Sequence, residues 1–117
     1  NINMGKLTEE FNDYRTRMNS RIMETSNTNI KRFMALDTTS YAEGALNVKT
    51  KEMLGLVASM VLRCDDCIKY HLGKCRDEGV TTEEINEIFM IANLVGGSIV
   101  IPHYRRAVEY WDELLEQ

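Results

Sequence analysis

The chain has 117 residues, 44% hydrophobic and 27% charged, which suits one globular domain over residues 1–117 and neither a disordered nor a fibrous protein. A formal charge of −4, with scattered Lys and Arg and no basic cluster longer than Arg105-Arg106, argues against a nucleic-acid partner. The most apolar stretch, Met53 to Leu62, is roughly half of a bilayer span, so no membrane partner is expected either.

Leu7, Phe11, Tyr14, Met18 and Ile22 fall at helical spacing and predict a first helix with one apolar face. The polar run Thr25–Asn29 interrupts it, because such side chains compete for backbone hydrogen bonds. A short helical piece from Ile30 to Leu36, a second polar break at Asp37–Ser40 and another piece from Tyr41 to Leu46 are expected next. Val48 to Leu62 then places Met53, Leu56, Val57 and Met60 on a buried stripe. Arg63 to Asp66 reads as a joint, and a helix carries Cys67 to Glu78, stopped by Gly79. Thr81 and Glu84 form a capping box, ahead of a helix whose core face is Ile85, Ile88, Phe89 and Ala92. Gly96-Gly97 ends that helix. Ile99-Val100-Ile101 is ambiguous between helix and strand. The last helix starts near Pro102 and is expected to bury Tyr104, Val108, Trp111 and Leu115. No strand-like alternation is sustained, so the fold class is all-α, a bundle of six or seven helices.

The chain opens Asn-Ile-Asn-Met-Gly, without a basic segment leading into an apolar core, and the expected compartment is the reducing cytoplasm. There a cysteine pair is more often catalytic or metal-binding than structural. Three cysteines also suit a secreted disulfide framework poorly.

The chemistry concentrates in Cys64-Asp-Asp-Cys67-Ile-Lys-Tyr-His71. Cys64 and Cys67 are one helical turn apart, so their sulfurs can meet if Cys64 sits at a helix start. The unpaired N–H groups and dipole there favour a thiolate. His71 lies four residues beyond Cys67, on the same face, where a base can take or return the thiol proton. A structural zinc held with Cys75 or His103 is the rival reading. Cys67 and Cys75 lie about 12 Å apart along one helix, which opposes it. Asp65 and Asp66 place negative charge beside the developing thiolate, or serve as helix N-terminal carboxylates.

Glu52, eleven intervening residues, Cys64, Cys67 and then His71 give a spacing that resembles the carboxymuconolactone decarboxylase family, in its alkylhydroperoxidase-D-like branch. Cys75 and Gly79 stand where that branch has a small residue and a glycine, and the likeness runs from about Val48 to Leu94. The resemblance implies a thiol-dependent peroxidase of peroxiredoxin type. Cys67 would attack a hydroperoxide, Cys64 resolve the sulfenic acid to a disulfide, and Glu52 and His71 relay protons. It implies no cofactor and no metal, an unidentified dithiol or protein as electron donor, and a homo-oligomer, a trimer or hexamer. Two alternatives keep the fold: a cofactor-free lactone decarboxylase, which generally lacks the cysteine pair, and a non-catalytic redox sensor. Cys75 is expected to be a buried small hydrophobe, and His103 a surface or helix-terminal residue with a second-layer role facing the pair as the alternative.

Overall fold

The computed structural model describes residues 5–25 and 28–117. It contains six α-helices, and no strand occurs among the described residues. They are α1 (Lys6–Thr25), α2 (Thr28–Tyr41), α3 (Val48–Val61), α4 (Asp65–Asp77), α5 (Thr82–Gly96) and α6 (Ile101–Leu115). The ambiguous apolar run resolves as a 3₁₀ turn, Ser98–Val100, feeding α6 through Pro102 in its first turn, where a missing N–H costs nothing.

The core lies between α3, α4, α5 and α6. Leu56 and Met60, Ile68, Leu72 and Cys75, Ile85, Phe89 and Ala92, and Ala107, Tyr110, Trp111 and Leu114 are each at most 2% exposed. Burial of each large side chain contributes about 1.5–3 kcal/mol. Helix ends are closed as local sequence dictates. Asn47 caps α3 by accepting from Thr50 N–H at 2.8 Å, and Thr81 and Glu84 exchange the two bonds of the capping box. Gly79, at φ 79°, ends α4 in the left-handed conformation open to glycine.

Three expectations are corrected. The predicted break at Asp37–Ser40 lies inside α2, because the Thr38 and Thr39 hydroxyls bond back to the carbonyls of Met34 and Ala35 and leave the helix intact. The helical piece at Tyr41–Leu46 does not form, and the chain bends there instead. In α6 the buried stripe is Ala107, Tyr110, Trp111 and Leu114, while Val108 and Leu115 are 37% and 51% exposed. This helix is apolar on two adjacent faces, and spacing alone does not say which one meets the core. Of the interrupting run, Thr25 ends α1 and Thr28 begins α2, while residues 26 and 27 lie outside the described residues.

The first two helices are only partly built into this core. α1 buries only Thr8 and Phe11, and α2 buries no residue at all. Expected face residues Tyr14 and Ile22 are exposed. α1 is fastened at its start by Glu113 of α6. That carboxylate accepts from the backbone N–H groups of Leu7 (3.0 Å) and Thr8 (2.7 Å) and from the Thr8 hydroxyl (2.7 Å). Phe11 then meets Tyr110 edge-on, with ring centroids 6.1 Å apart.

Candidate thiol site

The turn between α3 and α4 places the cysteines. Leu62 ends α3, and Arg63 takes a left-handed conformation at φ 60°. Cys64 N–H then reaches back to Ser59 C=O at 3.0 Å, and Arg63 N–H to Met60 C=O at 3.0 Å. This pair of bonds is a Schellman closure with arginine where glycine is usual, so no glycine marked it in the sequence. It leaves Cys64 in extended backbone as the N-cap of α4. The helix therefore begins at Asp65, two residues earlier than the Cys67 start predicted, and Cys67 sits within its first turn.

Cys64 and Cys67 are joined as a disulfide, with Cα atoms 5.2 Å apart. Cys67 N–H points at the Cys64 sulfur at 3.2 Å, as a capping donor would. Cys67 is exposed and Cys64 is half-buried. Cys75, by contrast, is fully buried among apolar neighbours. Burial, reinforced by the Glu52 charge, pushes its thiol up to about 12, so it stays protonated.

Glu52 on α3 and His71 on α4 are both buried, and Glu52 Oε1 lies 2.7 Å from His71 Nδ1. Read blandly, Glu52 beside Lys49 and Lys51 would be a solvated carboxylate. Instead Lys49 pairs with Glu84 at 3.4 Å, and Lys51 donates to the carbonyls of Ser40 and Ala42. Glu52 is left to His71. With Nδ1–H held by the carboxylate, Nε2 is the imidazole's accepting nitrogen. It faces the Tyr41 hydroxyl at 3.5 Å. Burial first, then the charges of Glu52 and Asp37, hold the Tyr41 hydroxyl above its ordinary value, so the phenol remains a donor. Tyr70 packs edge-on against the imidazole, with centroids 5.3 Å apart.

Two residues of this arrangement escaped sequence reasoning. Tyr41, the last residue of α2, carried no spacing signal to the motif. Gly55, one turn beyond Glu52, lets the imidazole lie against α3: a Cβ there would stand 2.7 Å from His71 Cε1. The signal in its case was a glycine inside a helical stripe, which is unfavourable unless something approaches closely.

Cys67, His71, Asp66 and Tyr70 of α4, with Arg15 of α1 and Asp37 of α2, line an open pocket of about 250 Å³. On the far side of the turn, Asp65 is held by α6: its carboxylate lies 2.8 Å from His103 Nδ1 and accepts from Arg106 Nε at 3.0 Å. His103 thus acts on the residue next to Cys64 rather than on a sulfur. Asp65's charge is balanced by Arg106, whereas Asp66 is exposed at the mouth of the pocket.

The disulfide-bonded cysteine pair thus stands one turn from a buried carboxylate–imidazole pair. Known proteins share the frame. Two crystal structures of one Thermotoga maritima protein, 54% identical to this chain, match with TM-scores of 0.90 and 0.87. They cover 92% of this chain and 95% and 91% of their own. The second is described as a carboxymuconolactone decarboxylase family protein, with a candidate involvement in antioxidative response. A family protein from Legionella pneumophila, in its apo form, has a TM-score of 0.85 over 94% of this chain and 98% of its own. At 22% identity it shows a common fold. Uncharacterized protein 4 in the cox locus of Paracoccus denitrificans is 32% identical over 82 residues, 70% of this chain and 74% of that protein. The profile of the carboxymuconolactone decarboxylase family matches residues 29–110, and the chain belongs to that family.

Proposed function

We propose that the protein is a thiol-dependent peroxidase that cycles Cys64 and Cys67 between dithiol and disulfide. The observation that carries this reading is the joining of the two cysteines at the start of α4, one turn from a histidine held by a buried carboxylate. The candidate antioxidative role of the Thermotoga maritima relative agrees with it.

In the proposed cycle the Cys67 thiolate attacks the terminal oxygen of a hydroperoxide, ROOH. The S–O bond forms as the O–O bond breaks, giving Cys67 sulfenic acid and an alkoxide that takes a proton through His71 and leaves as ROH. The Cys64 sulfur then attacks Cys67. The S–S bond forms and hydroxide departs as water, with the thiol proton. A dithiol donor, small or protein, returns two electrons and two protons. Exposure of Cys67 suits attack on a substrate, and the half-buried Cys64 suits resolution. Glu52 fixes the imidazole tautomer and stabilises its charged form when a proton arrives. A reducing cytoplasm follows from the same reading, since the disulfide must be reopened at every turnover.

Peroxide consumption with dithiothreitol as reductant tests this. The wild type should turn over, Cys67→Ser should be inactive, and Cys64→Ser should accumulate a sulfenic acid on Cys67 that dimedone labels. Dimedone labelling of Cys64 in the Cys67→Ser protein would reverse the roles. Disulfide exchange without any peroxide consumption would leave a redox sensor.

A further inference from the structure

The pocket at Cys67 does not end at the thiol. Arg15 and Tyr70 line it and also line a neighbouring cleft between α1, α4 and α6. Three cations meet on aromatic faces in that cleft. The Arg15 guanidinium carbon lies 4.6 Å from the Tyr70 ring centre, Lys74 Nζ 5.5 Å from the same ring, and Lys69 Nζ 5.7 Å from the ring of Phe11. None of these three makes an ion pair or hydrogen bond among the described residues. Arg76 lines the cleft too, but its guanidinium is committed to Asp77 and to Gln117. In a chain of net charge −4, this convergence is a local field that calls for an anion.

The charge reverses at the other end. Asp37 and Asp66 line the pocket beside Cys67 and would repel an anionic group from the sulfur. Cys67, Tyr70 and Lys74 follow one another at positions i, i+3 and i+7 of α4, hence along one face. The rise from Cys67 to Lys74 is about 10 Å. A ligand reacting at the thiol and held by the cations must therefore separate its two ends by roughly that distance.

We infer that Arg15, Lys69 and Lys74 form a carboxylate-binding cleft, and that the molecule reacting at Cys67 is a medium-chain organic hydroperoxide with a carboxylate at its remote end. The second half rests on the peroxidase reading above; the cleft itself does not. Cys67 attacks the terminal hydroperoxide oxygen as in the proposed cycle, with the carboxylate a spectator that fixes which end of the chain meets the sulfur. The Tyr70 face beneath Arg15 and Lys74 is a weakly competing neighbour, so a carboxylate entering there gains charge-assisted hydrogen bonds, while Lys69 also feels the charge of Glu113 and adds to the field.

The probes are ω-hydroperoxyoctanoate, its methyl ester, and unreactive octanoate. For the wild type, kcat/KM for the acid should exceed that for the ester about tenfold at low salt, and approach it at about 0.5 M salt. Arg15→Gln and Lys74→Gln should each lower that preference severalfold, and Lys74→Arg should retain it. Octanoate should shift the backbone amide signals of α1 and α4 lining the cleft, and the double variant Arg15→Gln/Lys74→Gln should lose the shifts. Equal kcat/KM for acid and ester, or an octanoate titration that leaves those amides unmoved, would overturn the inference. Octanoate bound in the cleft with neither hydroperoxide consumed would uphold the cleft and reject the peroxidase reading instead.

Discussion

A methyl group at position 55 would stand 2.6 Å from the Tyr41 hydroxyl oxygen and 2.9 Å from His71 Nδ1, inside any real contact distance. The alanine side chain is itself compatible with a helix, so the cost of Gly55→Ala falls on the groups that press against it. The imidazole must retreat from Glu52, lengthening a 2.7 Å bond that the proposed proton transfer uses. Gly55→Ala should keep its helical circular dichroism and lower peroxide turnover about tenfold or more, in line with loss of a positioned acid–base group. Undiminished turnover would show that the Glu52–His71 contact is not used. Position 55 also illustrates how much of the site the sequence could reveal. Cys64, Cys67 and His71 were legible from their spacing around one helix start, whereas Glu52, flanked by Lys49 and Lys51, was legible only through the resemblance to the family. Tyr41 and Arg15 come from α2 and α1, whose placement depends on long-range packing that spacing does not encode. The Asp65 contact to His103 and Arg106 is of the same kind, spanning 38 and 41 residues of chain.

At the scale of elements, the start of α1 is fastened by one carboxylate, ahead of the packing of Phe11 on Tyr110. Burial pushes Glu113 up, but bonds from the Thr8 hydroxyl and the Leu7 and Thr8 N–H groups outweigh it and hold the carboxyl below its ordinary value. A depressed carboxyl contributes stability above its unfolded value, near 4.3, and loses it as pH falls through the lower folded value. The start of α1 should therefore loosen below about pH 4. Glu113→Gln should cost about 1 kcal/mol at pH 7, the usual worth of a helix cap, and flatten that acid dependence. Urea unfolding at pH 7 and pH 3.5 measures both; identical pH dependence in the two proteins would show that α1 is held otherwise. The helices themselves were readable where caps and one-sided stripes coincide, as in α5 with its Thr81–Glu84 box. They were misread where a polar run satisfies its own hydroxyls within the helix, as at Thr38 and Thr39. The closure at Arg63 could not be read at all, because arginine holds a conformation that sequence associates with glycine.

At the scale of the whole molecule, the radius of gyration is 14.9 Å, above the roughly 13.4 Å usual for this length. α2 explains part of the excess, since it buries nothing and leaves Phe33 and Leu36 more than 60% exposed. On α5, Leu94 and Val95 are 82% and 68% exposed, and neighbouring Asn93 has a buried side-chain oxygen with no hydrogen-bond partner among the described residues. We propose that these faces meet further copies of the chain in a closed homo-oligomer, a trimer or hexamer, which would cover these exposed apolar side chains. Light scattering at micromolar concentration should give three or six times the 13.5 kDa chain mass, and a mass of one chain would show that these faces stay open to water.

Peptide mass mapping after peroxide treatment tests the pairing of the Cys64 and Cys67 sulfurs most directly. The fully reduced protein, given a slight excess of hydroperoxide, should lose two thiols per chain and yield one intramolecular Cys64–Cys67 disulfide, with Cys75 still a thiol. Cys64 and Cys67 recovered as free thiols after saturating hydroperoxide would contradict the account.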